Sequence, residues 1–340
     1  MQQLLFSKRN RVEWEEVPDP KLSGPNQALV RPLAVARCDL DLPILRGQTL
    51  FRPPFPLGHE FVGEILETSE ELSSLFPKGT RVAVPFQISC GHCANCETGL
   101  TKSCSTVPHT SAYGMGKGAK EFGGAISDSV LVPYAKEMLI PFSNKTDPAA
   151  IASISDNIVE AWKLVGIHLQ QNKNRSVLVL GGFASSIGLY TAALAKHMGA
   201  AELVYVDTDK KRLEIAESYG VKVEQVTSFP KSFGKFDIVA DANGTAEGWD
   251  CGLRSLGIEG EFGSASIFWT NSIPIPYLEL YNNGATIRLG RVRSREWIPE
   301  ILRLVEEEGF DPSKVTTRKA SWSEAADAFL EEETKLIVVR

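Results

Sequence analysis

The chain has 340 residues, 43% hydrophobic, 9% aromatic and 23% charged, a balance that excludes a disordered polypeptide and suits two globular domains rather than one. Its net charge of −6 is mixed along the chain with no basic stripe to neutralise phosphates, so a small molecule is expected as partner and nucleic acid is not. No apolar run approaches the ~20 residues that span a bilayer, and Met1 to Trp14 lacks the apolar stretch and cleavage site of a secretory signal; no membrane partner is expected, and the compartment is read as the cytoplasm.

Up to about residue 150, short β-rich runs such as Gln27 to Val35, Phe61 to Leu66 and Arg81 to Pro85 are broken by Gly and Pro, which predicts a β-rich domain. The texture changes near Asp147. A helical stretch through Ala161, Trp162 and Val165 leads into the continuous apolar strand Ser176 to Leu180, followed by a helix over Gly188 to Met198, a strand over Leu203 to Val206, a helix over Lys210 to Tyr219 and a strand over Asp237 to Ala240. Repeated strand–helix–strand units predict a parallel, doubly wound sheet, so the fold class is α/β. The tail predicts an amphipathic helix around Trp297 to Glu308, a second over Ser323 to Leu330, and a terminal strand, Leu336 to Val339.

Six cysteines are present, four of them within fifteen residues at Cys90, Cys93, Cys96 and Cys104, while Cys38 and Cys251 stand alone. In a reducing compartment such a cluster reads as a metal site. Four thiolates on one loop suit a closed, tetrahedral structural zinc, which needs neither redox partner nor d-electron geometry; an iron–sulfur cluster is the alternative. Outside the cluster, Cys38, His59 in Gly58-His59-Glu60, and Asp156 are the candidate ligands of a second, catalytic zinc, which keeps a coordination position open for water or substrate. Taken singly, each of these residues has an ordinary core or surface reading as well.

The strand Val177 to Leu180 runs into Gly181-Gly182-Phe183-Ala184-Ser185-Ser186-Ile187-Gly188, where a glycine-rich turn would present backbone amides to a pyrophosphate at a helix N-terminus. The turn departs from G-x-G-x-x-G: Ser185 replaces the middle glycine, and Gly182 stands one residue before the first position. Gly182, Ser185, Ser186, Ile187 and Gly188 are the candidate phosphate contacts. Asp207 ends the next strand, where a carboxylate accepts from the adenosine ribose hydroxyls and repels a 2′-phosphate, favouring NAD over NADP; Lys210, Lys211 and Arg212 nearby either soften that preference or form a solvated helix face.

Cys38-Asp39-Leu40-Asp41, the Gly58-His59-Glu60 step, the four-cysteine loop and the dinucleotide fold occur in the order seen in zinc-containing alcohol dehydrogenases of the medium-chain dehydrogenase/reductase superfamily, which the chain resembles over nearly its whole length. The resemblance implies a GroES-like catalytic domain formed by residues 1–152 and 291–340, with a structural zinc lobe at 86–108, and a Rossmann cofactor domain at 153–290. It implies two zincs per subunit: one held by Cys90, Cys93, Cys96 and Cys104, the other by Cys38, His59 and Asp156, with Glu60 beneath the metal and Asp41 orienting His59. Phe86 is implied as an aromatic wall of the substrate pocket, Gly263 and Ser264 as a strand-end loop near the nicotinamide, and a homodimer or homotetramer as the assembly. The implied reaction passes hydride from an alcohol or polyol to NAD while zinc stabilises negative charge on the oxygen, giving an aldehyde or ketone.

Two departures from the family pattern bear on this reading. Leu40 stands where a hydroxyl residue begins the family's proton relay, and Pro43 where a relay histidine can sit. The proton is therefore expected to leave by another route, through water with Glu60 or Asp39, or by way of a second hydroxyl on the substrate. A non-catalytic member of the same fold that binds NAD or a partner is the competing reading. A zinc-free quinone reductase is disfavoured by the cysteine lobe, and a zinc-ribbon nucleic-acid binder by the acidic balance.

Overall fold

The structure is a computed structural model that describes residues 1–340. The chain divides into two compact units, Met1–Val159 with Val292–Arg340, and Glu160–Arg291. No helix is long and apolar enough to cross a membrane.

The first unit is built on a seven-stranded sheet in which Arg318–Ser321, Leu336–Val339, Ala28–Ala36, Glu60–Thr68, Arg81–Val84 and Ile140–Pro141 lie side by side, with Val130–Val132 also paired to Ala28–Ala36. The pairing is antiparallel except between Arg318–Ser321 and Leu336–Val339. A smaller sheet of Gln2–Lys8, Arg11–Glu16 and Phe55–Pro56 lies on the same unit. Alternation along the strands sends Val30, Val35, Phe61, Ile65, Val82, Val84 and Val338 into one core with Leu4, Phe6, Phe55, Tyr113 and Phe329. Lobe and tail are tied by polar contacts: Glu296, on the helix Ser294–Glu307, accepts from the Thr101 amide at 3.0 Å and the Thr101 hydroxyl at 2.9 Å.

Residues 153–159, placed with the cofactor domain from sequence, belong to the first unit. The cause is local: the Ser155 hydroxyl accepts the Phe61 amide at 3.0 Å, and Ser155, Asn157 and Ile158 are wholly buried. The chain therefore crosses over within a helix, between Val159 and Glu160, and returns at Val292.

The second unit is a six-stranded, all-parallel sheet made of Ser176–Leu180, Glu202–Asp207, Lys222–Gln225, Phe236–Asp241, Leu256–Ser264 and Thr286–Arg288. Counted in chain order, their spatial order is 3-2-1-4-5-6, the doubly wound arrangement in which ligands lie at the carboxyl ends of the strands, where the order reverses. The central strand Ser176–Leu180 is buried on both faces, hence its unbroken Val-Leu-Val-Leu run. The helices Ser185–His197, Lys210–Ser218, Ala246–Arg254 and Tyr277–Asn283 connect the strands. Entry into this unit is irregular: Asn157–Ala161 is α-helical, Trp162–Gly166 is a π-helical turn and Ile167–Leu169 resumes the α-helix. Gly166 is required there, since a Cβ would lie 2.3 Å from the Trp162 ring.

Candidate metal and cofactor sites

Cys38 follows the strand Ala28–Ala36, and His59 immediately precedes the strand Glu60–Thr68 paired with it, Ala36 lying opposite Glu60. Asp156 ends the short helical turn packed beside them. These elements bring Cys38, His59, Glu60 and Asp156 together so that one ligand atom from each lies within 4.8 Å of all the others. Cys38 Sγ is 3.2 Å from Asp156 Oδ2, which is 3.4 Å from His59 Nε2. Nitrogen and oxygen ligands at about 2.0–2.1 Å from a tetrahedral zinc stand about 3.3–3.4 Å apart, so the spacing suits a shared ion.

His59 is fully buried, and neither ring nitrogen has a hydrogen-bond partner. Leaving two buried nitrogens unsatisfied costs about 1–3 kcal/mol each, which a metal bond to one of them would relieve. The electrostatics agree. Burial, and after it the Asp156, Glu60 and Asp41 carboxylates, push the Cys38 thiol well above its ordinary value. Burial opposes a charge on His59, but Asp41, Asp156 and Glu60 outweigh it and raise the imidazole to about 9. Such a crowd of anions is a place for a dication, which would deprotonate the thiol outright.

Asp41 accepts the Cys38 amide at 2.9 Å through Oδ2, and its Oδ1 lies 3.7 Å from His59 Nδ1. That distance exceeds a hydrogen bond, so Asp41 braces the Cys38 backbone and acts on His59 through charge. Glu60 is wholly buried and paired with Lys335, whose Nζ donates to Glu60 Oε2 at 3.0 Å and to the Arg37 carbonyl at 2.9 Å. Burial raises the Glu60 carboxyl to about 7, against the pull of Lys335. Two further residues join the site that sequence reasoning passed over. Lys335 looks like an ordinary charge beside the last strand, and Asn157, whose Oδ1 is 3.3 Å from Cys38 Sγ, had as its signal only its place next to Asp156. Phe86 lies against His59, the ring centroids 5.6 Å apart.

In the second cluster all four sulfurs lie within 4.8 Å of one another. The 3.9 Å from Cys93 Sγ to Cys104 Sγ is far from a disulfide bond at about 2.05 Å and near the ~3.8 Å edge of a zinc–sulfur tetrahedron. The Ser105 amide donates to Cys93 Sγ at 3.4 Å, and the Ser105 hydroxyl and amide hold the Cys93 thiol down at about 5. Cys90 Sγ is 3.1 Å from the Thr106 hydroxyl. These contacts stabilise sulfur in the form that binds metal.

In the second unit the turn after Leu180 leads into the helix Ser185–His197, whose N-cap, Ala184, offers no side-chain acceptor. The helix dipole at that end favours an anion. The glycines are held close: a Cβ on Gly181 would fall 2.3 Å from the Tyr205 hydroxyl, and one on Gly182 would fall 2.7 Å from the Asn243 carbonyl. Gly182 lies in the turn, and Ser185, Ser186, Ile187 and Gly188 begin the helix that follows it. Asp207 ends its strand as expected, but is fully buried and already engaged: Oδ2 accepts from the Tyr205 hydroxyl at 2.6 Å and Oδ1 from the Asp209 amide at 2.9 Å. Arg212 adds a bidentate pair on the same carboxylate. Gly263 and Ser264 end the fifth strand, and the Ser264 hydroxyl donates to Asp241 at 2.7 Å.

Two family models match: the alcohol dehydrogenase GroES-like domain over residues 24–143 and the zinc-binding dehydrogenase over residues 186–307. The chain is 30% identical over 266 residues to an L-threonine 3-dehydrogenase of Alteromonas mediterranea, covering 76% of this chain and 71% of the relative. It is 32% identical over 256 residues to that of Vibrio atlanticus, covering 73% and 68%. Among solved structures, an alcohol dehydrogenase from Thermus sp. ATN1 superposes with a TM-score of 0.86 at 25% identity, over 100% of this chain and 99% of the other. With both metal-ligand clusters and the 3-2-1-4-5-6 sheet in place, the chain belongs to the zinc-containing alcohol dehydrogenase family of the medium-chain dehydrogenase/reductase superfamily, oxidoreductases that act on CH–OH donors.

Proposed function

We propose that the protein is a zinc-dependent dehydrogenase that oxidises a small alcohol or polyol to an aldehyde or ketone with NAD, the first unit carrying the metals and the second the dinucleotide. The observation that carries this reading is His59, wholly buried with neither ring nitrogen hydrogen-bonded, inside a set of a thiol and two carboxylates. Cys38, His59 and Asp156 would hold the catalytic zinc, and Cys90, Cys93, Cys96 and Cys104 the structural one. Thiolate and carboxylate neutralise the ion while imidazole adds no charge. When bound, the metal supplies Lewis-acid stabilisation of charge developing on the alcohol oxygen.

The chain's own residues supply the rest. Asp41 fixes the Cys38 backbone, and Lys335 pairs with the second carboxylate, Glu60, and opposes the burial that raises its pKa. Leu40 can neither donate nor accept a proton, so release falls to water reached from Asp156, whose side chain is 14% exposed while those of His59 and Glu60 are not exposed at all. The glycine turn and the uncapped helix at Ser185 receive the pyrophosphate, and Asp207 the ribose hydroxyls in exchange for the Tyr205 or Arg212 bonds it holds without cofactor.

For the assembly we propose a homodimer or homotetramer built through the second unit. Thr286–Arg288 is an edge strand, and Tyr277, Leu278, Tyr281 and Leu289 beside it are 59–71% exposed, a patch that a second copy would cover. Six unpaired cysteines suit a reducing compartment such as the cytoplasm.

The test is turnover of a panel of simple alcohols, polyols and L-threonine with NAD and with NADP, followed by absorbance of the reduced cofactor, alongside zinc quantification. Alcohol-dependent NAD reduction, lost in Cys38→Ser, is the expected result. Zinc and NAD binding without turnover of any member would favour instead a non-catalytic binding protein, the reading to which Leu40 lends support.

A further inference from the structure

Lys163 is a buried lysine in the π-helical turn that opens the second unit. Its ammonium has three donors, and all three are used: on the Glu160 carboxylate, on the Ser264 carbonyl at 3.2 Å, and on the Gly290 carbonyl at 2.8 Å. The last two carbonyls lie at the carboxyl end of the fifth strand and just beyond the sixth. The Ser264 hydroxyl in turn reaches Asp241 at the end of the fourth strand, and the Ala265 amide donates to the Asp241 carbonyl at 2.8 Å. Asp241 also accepts the Asn243 amide at 3.0 Å, and the Phe183 amide of the glycine turn donates to the Asn243 carbonyl at 2.9 Å.

These bonds form one unbroken polar line from the glycine turn through the ends of three neighbouring strands to Gly290. It follows the carboxyl edge of the sheet, where a dinucleotide lies in this topology. Asp207, on the second strand, stands on the other side of the glycine turn and is outside the line.

We infer that Lys163 is a positioning residue for the nicotinamide half of the cofactor: its ammonium clamps the strand-end loops at Ser264 and Gly290 in the shape that receives it. The inference rests on the proposed use of NAD. Without the ammonium two carbonyls lose a donor, and the loops are free to relax toward water. The adenosine half, held at the glycine turn and Asp207, is untouched. Glu160 neutralises the buried ammonium.

The zinc-loaded full chain is titrated with NADH and, separately, with ADP-ribose, which lacks the nicotinamide. Lys163→Met is expected to weaken NADH about tenfold while ADP-ribose changes less than about twofold. Glu160→Gln, which leaves the carbonyl contacts in place, is expected to keep both within about twofold. Should Lys163→Met not fold, Ser264→Ala breaks the same line one joint away and is expected to show the same split. Equal losses for NADH and ADP-ribose, or unchanged NADH binding in either variant that folds, would overturn the inference. Failure of the unmodified protein to bind NADH at all would overturn the proposed function itself.

Discussion

Arg212 grips Asp207 with two parallel bonds, Nε to Oδ2 at 2.7 Å and Nη2 to Oδ1 at 2.6 Å. A carboxylate so matched by a guanidinium repels a phosphate less than a bare one does. Arg212→Met is therefore expected to raise the ratio of kcat/KM with NAD to that with NADP by about tenfold, the value of one charge-assisted bond at about 1.5 kcal/mol. Asp207→Ala, which exposes the guanidinium, should move the ratio the other way. Initial rates with both cofactors at fixed alcohol check the two directions; ratios that move together would exclude this pair as the discriminator.

Lys335 and Glu60 form an ion pair with both side chains completely buried. Removing only the cation strands a carboxylate in the core, a change that costs about 3–5 kcal/mol. Lys335→Met should lower unfolding stability by that amount in denaturant titrations, and Lys335→Met with Glu60→Gln should recover much of the loss.

The structural lobe has a small apolar cluster of its own: Cys90, Cys96 and Cys104, with Cys93, Val107 and Tyr134 packed against them. Cys93→Ser is expected to lower zinc from about two ions per chain to about one and to open residues 90–104 to proteolysis. Metal analysis and timed trypsin digestion report the two effects separately.

His168 is buried, with Nδ1 2.7 Å from Glu261 Oε2. Burial lowers its pKa below the usual 6.5, and Arg175 and Arg288 add to this against the pull of Glu261. Above about 6.5 the ring is neutral in folded and unfolded chains and contributes nothing to pH dependence. As pH falls through 6.5 the unfolded chain takes up the proton first, so stability declines until the folded-state pKa is passed. Unfolding midpoints measured between about pH 5 and 8 should show this decline, and His168→Gln should flatten it.

Much of the fold is legible in the residues alone because it depends on local pattern. The Val-Leu-Val-Leu strand and the CxxCxxC spacing speak within a dozen residues. Helix ends are less legible: the helix read from Trp297 begins at Ser294, and the one read from Gly188 begins at Ser185, since Ser and Arg in first turns carry no apolar period. The strand Leu256–Ser264 and the helix Tyr277–Asn283 are not legible as elements, the one interrupted by three glycines and the other burying only Leu280 while Tyr277, Leu278 and Tyr281 stay exposed. Within the site, Cys38, His59 and Asp156 meet as the family resemblance implies. Lys335, Asn157 and Lys163 had no such signal, for each becomes important through partners far away in the chain or through burial that no local pattern encodes.

The path of the chain has a consequence for biosynthesis. Leu336–Val339 inserts beside Ala28–Ala36, and Lys335 carries the charge that balances Glu60. The site around Cys38 therefore gains Lys335 only after the whole sheet unit of residues 160–291 has left the ribosome. A ribosome stalled before codon 335 would leave a nascent polypeptide with its dinucleotide module ready to fold and its metal pocket electrically unfinished.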